Sequence, residues 1–510
     1  MAEAAKSSRN KIYAVGIVVF LAIISLLYYL SAPVYVYIIA YMWFGFLFGI
    51  LQQYGRFCFA SAWRDLIMVK VPRMFVGIMV GMMTFSIIAV FIFMYYPERY
   101  HTSQFGLHGL IGGLFFGLGM VLAGGCATGS LYKTGEGNMI SLIVLLTLSF
   151  SQAIFAVTAF DFIFEKFIKS LPSFSMAELI FGQPAGVPEG TSYHVKYADY
   201  SFWQHMIADA GVNAILIGLI LLVGVYIVVV RKGFLRRRAA DMTAEAGASA
   251  DGGEAKTGFK DELAGFWSMI SASRRTSIAA VLIGIVAALQ VFSLGWLAKH
   301  YDFVNFGNVL AGETESGAKP PSSWPDETYP SDVAVRSAGR NVNQGGSTVF
   351  DPGYWYITTQ EAMAAAWSIK TVGLDSHPAN NQPGYLENNH YFGDYNGIPV
   401  PWHSPALLLS FGLILGASFR ALLAREFKWK FPTRELFIYA VIGGTFMGVG
   451  ARIALGCNIG AFYAPAAFGD PSGWVFFLGM GLGAYISAWF VNFIANRKMA
   501  KMDMDFDIEL

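Results

Sequence analysis

The chain has three cysteines in 510 residues, Cys58, Cys126 and Cys457, and two of them occupy one position of a repeated motif. Ile111-Gly-Gly-Leu-Phe-Phe-Gly-Leu-Gly-Met-Val-Leu-Ala-Gly-Gly-Cys-Ala-Thr-Gly-Ser-Leu-Tyr132 aligns without gaps on Ile442-Gly-Gly-Thr-Phe-Met-Gly-Val-Gly-Ala-Arg-Ile-Ala-Leu-Gly-Cys-Asn-Ile-Gly-Ala-Phe-Tyr463. The copies stand 331 positions apart, and 11 of the 22 aligned pairs are identical. A cysteine in an apolar helix is ordinarily a small hydrophobe, but two at the same repeat position point to a use for the thiol. Gly125 and Gly129, like Gly456 and Gly460, bracket the cysteine where the apolar run ends. There the backbone can turn and aim amide N–H groups at an anion. Gly113, Gly117, Gly444 and Gly448, farther back, are as well explained by close helix packing.

The third cysteine lies in Gly55-Arg-Phe-Cys-Phe-Ala-Ser-Ala-Trp-Arg-Asp65. Arg56, two residues from Cys58, is placed to draw an anion toward that thiol, whereas Arg64 reads as a charge at the membrane boundary. Lys133 and Arg452 are the other cations near the Gly-Cys turns. Arg452 falls inside an apolar run, where an arginine is costly and is usually paired or functional. No Cys-x-x-Cys or His-Glu-x-x-His spacing occurs, and no Gly-x-x-x-x-Gly-Lys-Ser/Thr, so neither a metal, an organic cofactor nor bound ATP is expected. Nothing basic and aromatic suggests nucleic acid.

These residues need elements to hold them. With 55% hydrophobic and 14% charged residues, the chain is an all-α polytopic membrane protein. Ten apolar segments are expected near Ile12–Leu30, Val34–Gln52, Met74–Tyr96, Gly109–Ala123, Met139–Phe160, Met206–Val230, Thr276–Leu297, Ser404–Leu423, Leu436–Leu455 and Gly473–Ile494. The fourth and ninth run into the Gly-Cys turns and should break inside the membrane. The first is too long for a cleaved leader and reads as an uncleaved helix. With both termini cytoplasmic, 25 Lys and Arg fall inside and 9 outside, which sets the orientation.

That alternation makes the two cysteine copies run in opposite directions, an inverted-repeat transporter fold with re-entrant or broken helices at the centre. Phe44-Gly-Phe-Leu-Phe-Gly49 also resembles Phe411-Gly-Leu-Ile-Leu-Gly416, but alternation runs both the same way. A re-entrant hairpin counted as a span would explain the conflict. Residues 1–238 form the first transmembrane half, 239–275 a cytoplasmic linker, and 276–510 the second half. The second half carries an external, loop-rich insertion, 298–402, read as an aromatic-rich cap. Its deletion, joining Leu297 to Ser404, is expected to spare transport, because every residue assigned to the path lies elsewhere.

Arg56-Phe-Cys-Phe with the following Arg64-Asp65, and the paired Gly-Cys-x-x-Gly segments, resemble the YeeE/YedE family of bacterial inner-membrane sulfur-compound transporters. The resemblance covers segments two to five and eight to ten. It implies uptake of thiosulfate, or a related sulfur anion, along a path lined by Cys58, Cys126 and Cys457 at a pinched centre. It implies a multi-pass inner-membrane protein that is not an enzyme, and admits a cytoplasmic sulfur-carrier protein as partner. The physics agrees, since an anion crossing an apolar core must replace its lost hydration. Weak thiol donors matched to a soft sulfur permit entry without trapping. Two other readings stand beside this one: a redox or sulfurtransferase component passing sulfur as a cysteine persulfide, and a membrane anchor subunit of a larger assembly.

Overall fold

The computed structural model describes residues 2–31, 35–97, 102–183, 200–245, 258–300, 357–374, 386 and 401–508. The first half contributes α1 (Ala2–Ser31), α2 (Val36–Gly55), α3 (Phe59–Met68), α4 (Arg73–Tyr95), α5 (Leu107–Leu122), α6 (Ala127–Gly135), α7 (Met139–Phe160), α8 (Met176–Phe181) and α9 (Phe202–Arg238). There follow α10 (Phe259–Ser271), α11 (Arg274–His300), α12 (Thr358–Thr371), α13 (Pro405–Leu423), α14 (Arg434–Ile453), α15 (Ala464–Ala467) and α16 (Ser472–Ile508). Among the described residues the only β pairing is one isolated bridge, Asn138 to Lys430.

Among the described residues ten spans are long and apolar enough to cross a membrane, and they coincide with the ten segments read from the sequence. Helix is the form that satisfies backbone polar groups within one lipid-bound segment. Start signals are local: the side chains of Asn138, Ser404 and Thr433 accept from Ile140 N, Leu407 N and Leu436 N. Three spans are broken, Val36–Met68, Leu107–Gly135 and Arg434–Ala467, and each break holds one of the cysteines. The second break and third break are those the glycines forecast. The first, at Arg56–Cys58, was not expected, since the sequence reading ended segment two before it.

Packing follows the glycines. α5 and α14 cross antiparallel at closest approach, with Gly112 against Gly450 and Gly119 against Gly443. A Cβ on Gly119 would stand 2.4 Å from the Gly443 carbonyl oxygen, so no larger residue fits without parting the helices. α2 lies parallel to α13, Gly45 meeting Leu409 and Gly49 meeting Leu413. The Phe44 and Phe411 runs therefore share a direction because they are full-length helices packed side by side, and the miscounted hairpin is not needed. Helices distant in sequence interlock: α5 packs on α16, α7 on α14 and α4 on α11. Large apolar side chains such as Ile220 and Val228 of α9 point outward, as lipid-facing residues do.

Gly443→Leu should overpack this crossing. We expect a loss of stability of about 1–3 kcal/mol or more, read as a lower midpoint of thermal aggregation in detergent. An unchanged midpoint would mean that the crossing can open at no cost.

Within 298–402, residues 357–374 hold α12, which packs on α7, α13 and α14. Met363 and Ala366 of α12 join Ala153 and Phe160 of α7 in one apolar cluster.

Candidate functional site: three thiols at broken helices

All three cysteines sit in the same local backbone. Two residues before each stands a residue in the left-handed region: Arg56 at φ 55°, Gly124 at φ 68° and Leu455 at φ 60°. That residue stops one helix, and the cysteine, in extended conformation, becomes the N-cap of the next. Each thiol thus lies at a helix N-terminus, where N–H groups lack helical partners and the dipole favours negative charge. Gly124 and Leu455 are equivalent positions of the two motif copies. Leu455 bears a strain of about 1–2 kcal/mol there that a glycine would not.

The thiols are buried, Cys126 fully and Cys58 and Cys457 nearly so. Cys58 Sγ stands 3.8 Å from Cys126 Sγ, a thiol–thiol contact between the first and second breaks. Gly129 N donates to Cys126 Sγ at 3.3 Å. A Cβ on Gly129 would come within 2.5 Å of Cys58 Sγ and 3.2 Å of Cys126 Sγ, so this glycine is what lets the two sulfurs share one space. Gly125 backs onto Ser130 and Lys133, and Lys133 Nζ donates to the Gly124 carbonyl. In the other copy Gly456 closes on the Gly460 backbone, where a Cβ would meet a carbonyl carbon at 2.8 Å.

The sequence reading missed the partner of Cys457. The amides of Gly460, Ile459 and Thr358 face its sulfur, and Thr358 is the first residue of α12. On the other side the amides of Gly129 and Phe59 face the Cys126 sulfur, and Phe59 is the first residue of α3. The start of α12 thus stands to Cys457 as the start of α3 stands to Cys126. Its first turn is polar and buried: Thr358, Gln360 and Glu361 are at most 7% exposed. Gln360 Nε2, both Glu361 carboxyl oxygens and both side-chain polar atoms of Asn458, the residue after Cys457, form no hydrogen bond among the described residues. A signal existed, because the alanine-rich run Glu361-Ala-Met-Ala-Ala-Ala-Trp367 is a strong helix former preceded by polar residues.

Arg56 bridges Glu136 at 2.7 Å and Glu426 at 2.8 Å, tying three loops together at one end of the bundle. Arg452 is fully buried, its guanidinium 4.8 Å over the Phe160 ring, in the neighbourhood that α7 shares with α12. A cavity of about 170 Å³ opens beside Arg56, lined also by Arg73, Arg275, Thr276, Arg420 and Glu426. Arg56 is therefore a clamp at the mouth of the Cys58 break, half exposed, and its ion pairs contribute little to stability. For the anion uptake that the family resemblance implies, Arg56→Gln is expected to raise the KM severalfold, most at low ionic strength, where the cationic field is least screened. An equal loss at all salt concentrations would make Arg56 a purely mechanical tie.

A family model for sulphur transport matches residues 54–319 and 348–486, which span all three breaks. The chain belongs to the sulphur transport family. It is 25% identical over 450 residues to the thiosulfate transporter TsuA of Spirochaeta thermophila, covering 87% of this chain and 96% of that protein. It is 40% identical over 114 residues to the thiosulfate transporter TsuA of Escherichia coli, 22% of this chain and 32% of that one. A further match is the probable transporter YedE of Escherichia coli, 39% identical over 98 residues, 19% of this chain and 24% of the relative. The resemblance drawn from the Arg56-Phe-Cys-Phe and Gly-Cys-x-x-Gly motifs is thus upheld, as are the helical, multi-pass architecture and a role in moving sulfur compounds.

Proposed function

We propose that this protein carries thiosulfate, or a closely related sulfur anion, across a bacterial inner membrane by way of Cys58, Cys126 and Cys457. The observation that carries the reading is the repeated build of three thiols, each buried at a helix N-terminus in a broken span. Amide N–H groups supply what hydration the anion loses, and the thiols donate weakly to its outer sulfur, so that it is passed on without being held. Gly125, Gly129, Gly456 and Gly460 shape this path, and Arg56 gathers the anion at one mouth. Arg452 holds the α7–α14 side of the path from behind, through Phe160. No covalent step is required, and the protein is not an enzyme.

In this reading the two Gly-Cys copies are an inverted-topology repeat, which the antiparallel crossing of α5 and α14 supports. The halves are 1–238 and 276–510, joined by 239–275. The end bearing Arg56, Arg73, Arg275 and Arg420 faces the cytoplasm, as do both termini, and the anion leaves there toward a sulfur-carrier protein. Uptake of radiolabelled thiosulfate into proteoliposomes tests the reading, with sulfate as the competing control. Orientation has its own test. Val69→Cys, at the Arg56 end, should react with an impermeant maleimide only after the cytoplasmic face is opened, whereas Leu107→Cys should react in intact cells. The reverse pattern would invert the assignment. The linker residue Ser249 and the insertion residue Ser347 lie outside the described residues.

A further inference from the structure

α12 is not one of the ten spans, yet its first turn reaches the third thiol. Glu361 sits in that turn, 7% exposed, with no hydrogen bond or ion pair to either carboxyl oxygen among the described residues. The Ser410 hydroxyl of α13 lies close enough to interact with the carboxyl without meeting hydrogen-bond geometry. An ionised carboxylate left in this state would cost several kcal/mol or more. It would also repel an anion at Cys457. A neutral carboxylic acid has neither fault and offers an O–H donor. Burial pushes this carboxyl up to about 8, so the acid holds its proton at neutral pH and releases it just above.

Among the described residues, the elements packed against α12 offer no resident cation for it. α7 carries no titratable side chain between 139 and 160, and its continuation carries Asp161, Glu165 and Lys166. α13 has only Arg420, which stacks on Tyr54 at the far end. α14 has Arg434, Glu435 and Tyr439 at its start and Arg452 at its end, over Phe160. The turn Pro401–His403 carries one histidine, His403, and α12 itself has Lys370 at its opposite end. Cys457 is the thiol beside it.

We propose that Glu361 is a proton-coupling residue, and that a proton is taken up on its carboxyl and released on the opposite side with each sulfur anion carried. This rests on the transport reading above and adds its driving force. Neutral Glu361 lets the anion occupy the Cys457 site; once the anion has left, the proton follows it, and the bare carboxylate bars another anion until it is reprotonated. Charge and atoms balance, because one proton and one anion cross together and nothing is oxidised or reduced.

The test uses the full chain in proteoliposomes with the membrane potential clamped at zero. Thiosulfate exchange between equal concentrations inside and outside reads transport alone. Accumulation under an imposed pH gradient, acid outside, reads coupling, since about one pH unit is worth a roughly tenfold gradient per proton. The wild-type protein should accumulate thiosulfate severalfold and should carry protons inward, seen with an internal pH dye, when thiosulfate is added. Glu361→Gln should exchange thiosulfate at a rate that no longer changes between pH 6 and 9, and its accumulation should fall to the equilibrium ratio. Accumulation by Glu361→Gln equal to wild type overturns the proposal. So does net thiosulfate uptake by the wild-type protein without proton entry, or accumulation driven by a sodium gradient instead. These last results need no variant to fold. A wild-type protein that exchanges no thiosulfate would instead overturn the transport reading itself.

Discussion

Replacing Cys126 or Cys457 by alanine should cut thiosulfate uptake by at least about tenfold, as expected when a donor in a low-dielectric site is lost and its partner left unsatisfied. The folded protein should remain. Alanine at an N-cap gives up about 1 kcal/mol of helix capping, too little to unfold a bundle held by ten spans. Cys58→Ala should behave alike, because its sulfur is 3.8 Å from that of Cys126 and its loss breaks the chain of thiols at the same point. Serine keeps size and a donor but offers a harder oxygen to a soft sulfur, so Cys→Ser should restore only part of the rate. Initial rates in proteoliposomes, normalised to protein recovered as a single peak on gel filtration, decide the matter. Near-normal uptake by the Cys126→Ala/Cys457→Ala double variant would remove the thiols from the path.

The second large effect concerns 298–402. Joining Leu297 to Ser404 removes α12, and with it the Thr358 amide that faces Cys457 and the Glu361 carboxyl beside it. Transport should be abolished, contrary to what the sequence alone suggested. A companion variant keeps 357–374 and replaces 301–356 and 375–400 by flexible linkers. It should transport at a rate of the same order as the whole protein. That pair of results separates a part of the path from the decoration around it. Full transport by the complete deletion would show that the first turn of α12 contributes nothing to Cys457.

Much of this arrangement was legible because membrane physics writes it plainly. The ten spans follow from hydropathy, and the three thiols from rarity and repetition. Gly125, Gly129, Gly456 and Gly460 were found because a glycine at a break has few other uses. What was hidden had specific causes. The break at Arg56 was missed because its left-handed residue is an arginine, where the break before Cys126 uses Gly124, and a non-glycine residue gives no warning of a positive φ. Leu455 conceals the third break's geometry in the same way. α12 was missed because its alanine-rich run is short and embedded in a long stretch of Asn, Pro and aromatics, and helix propensity alone does not say whether a helix inserts among the spans or lies over them. A one-dimensional reading places Arg56 and Arg452 near the thiols but cannot see that Glu136, Glu426 and Phe160 come from 80, 370 and 292 positions away to meet them.

The central claim is that the anion crosses intact, donated to by thiols and never bonded to them. Thiosulfate labelled with one sulfur isotope at its outer atom and another at its inner atom reads this directly in proteoliposomes. The account predicts that both labels enter in equal amounts at every time point, and that the protein recovered afterwards carries no persulfide by mass spectrometry. Entry of the outer label in excess, with a persulfide on Cys58, Cys126 or Cys457, would contradict it.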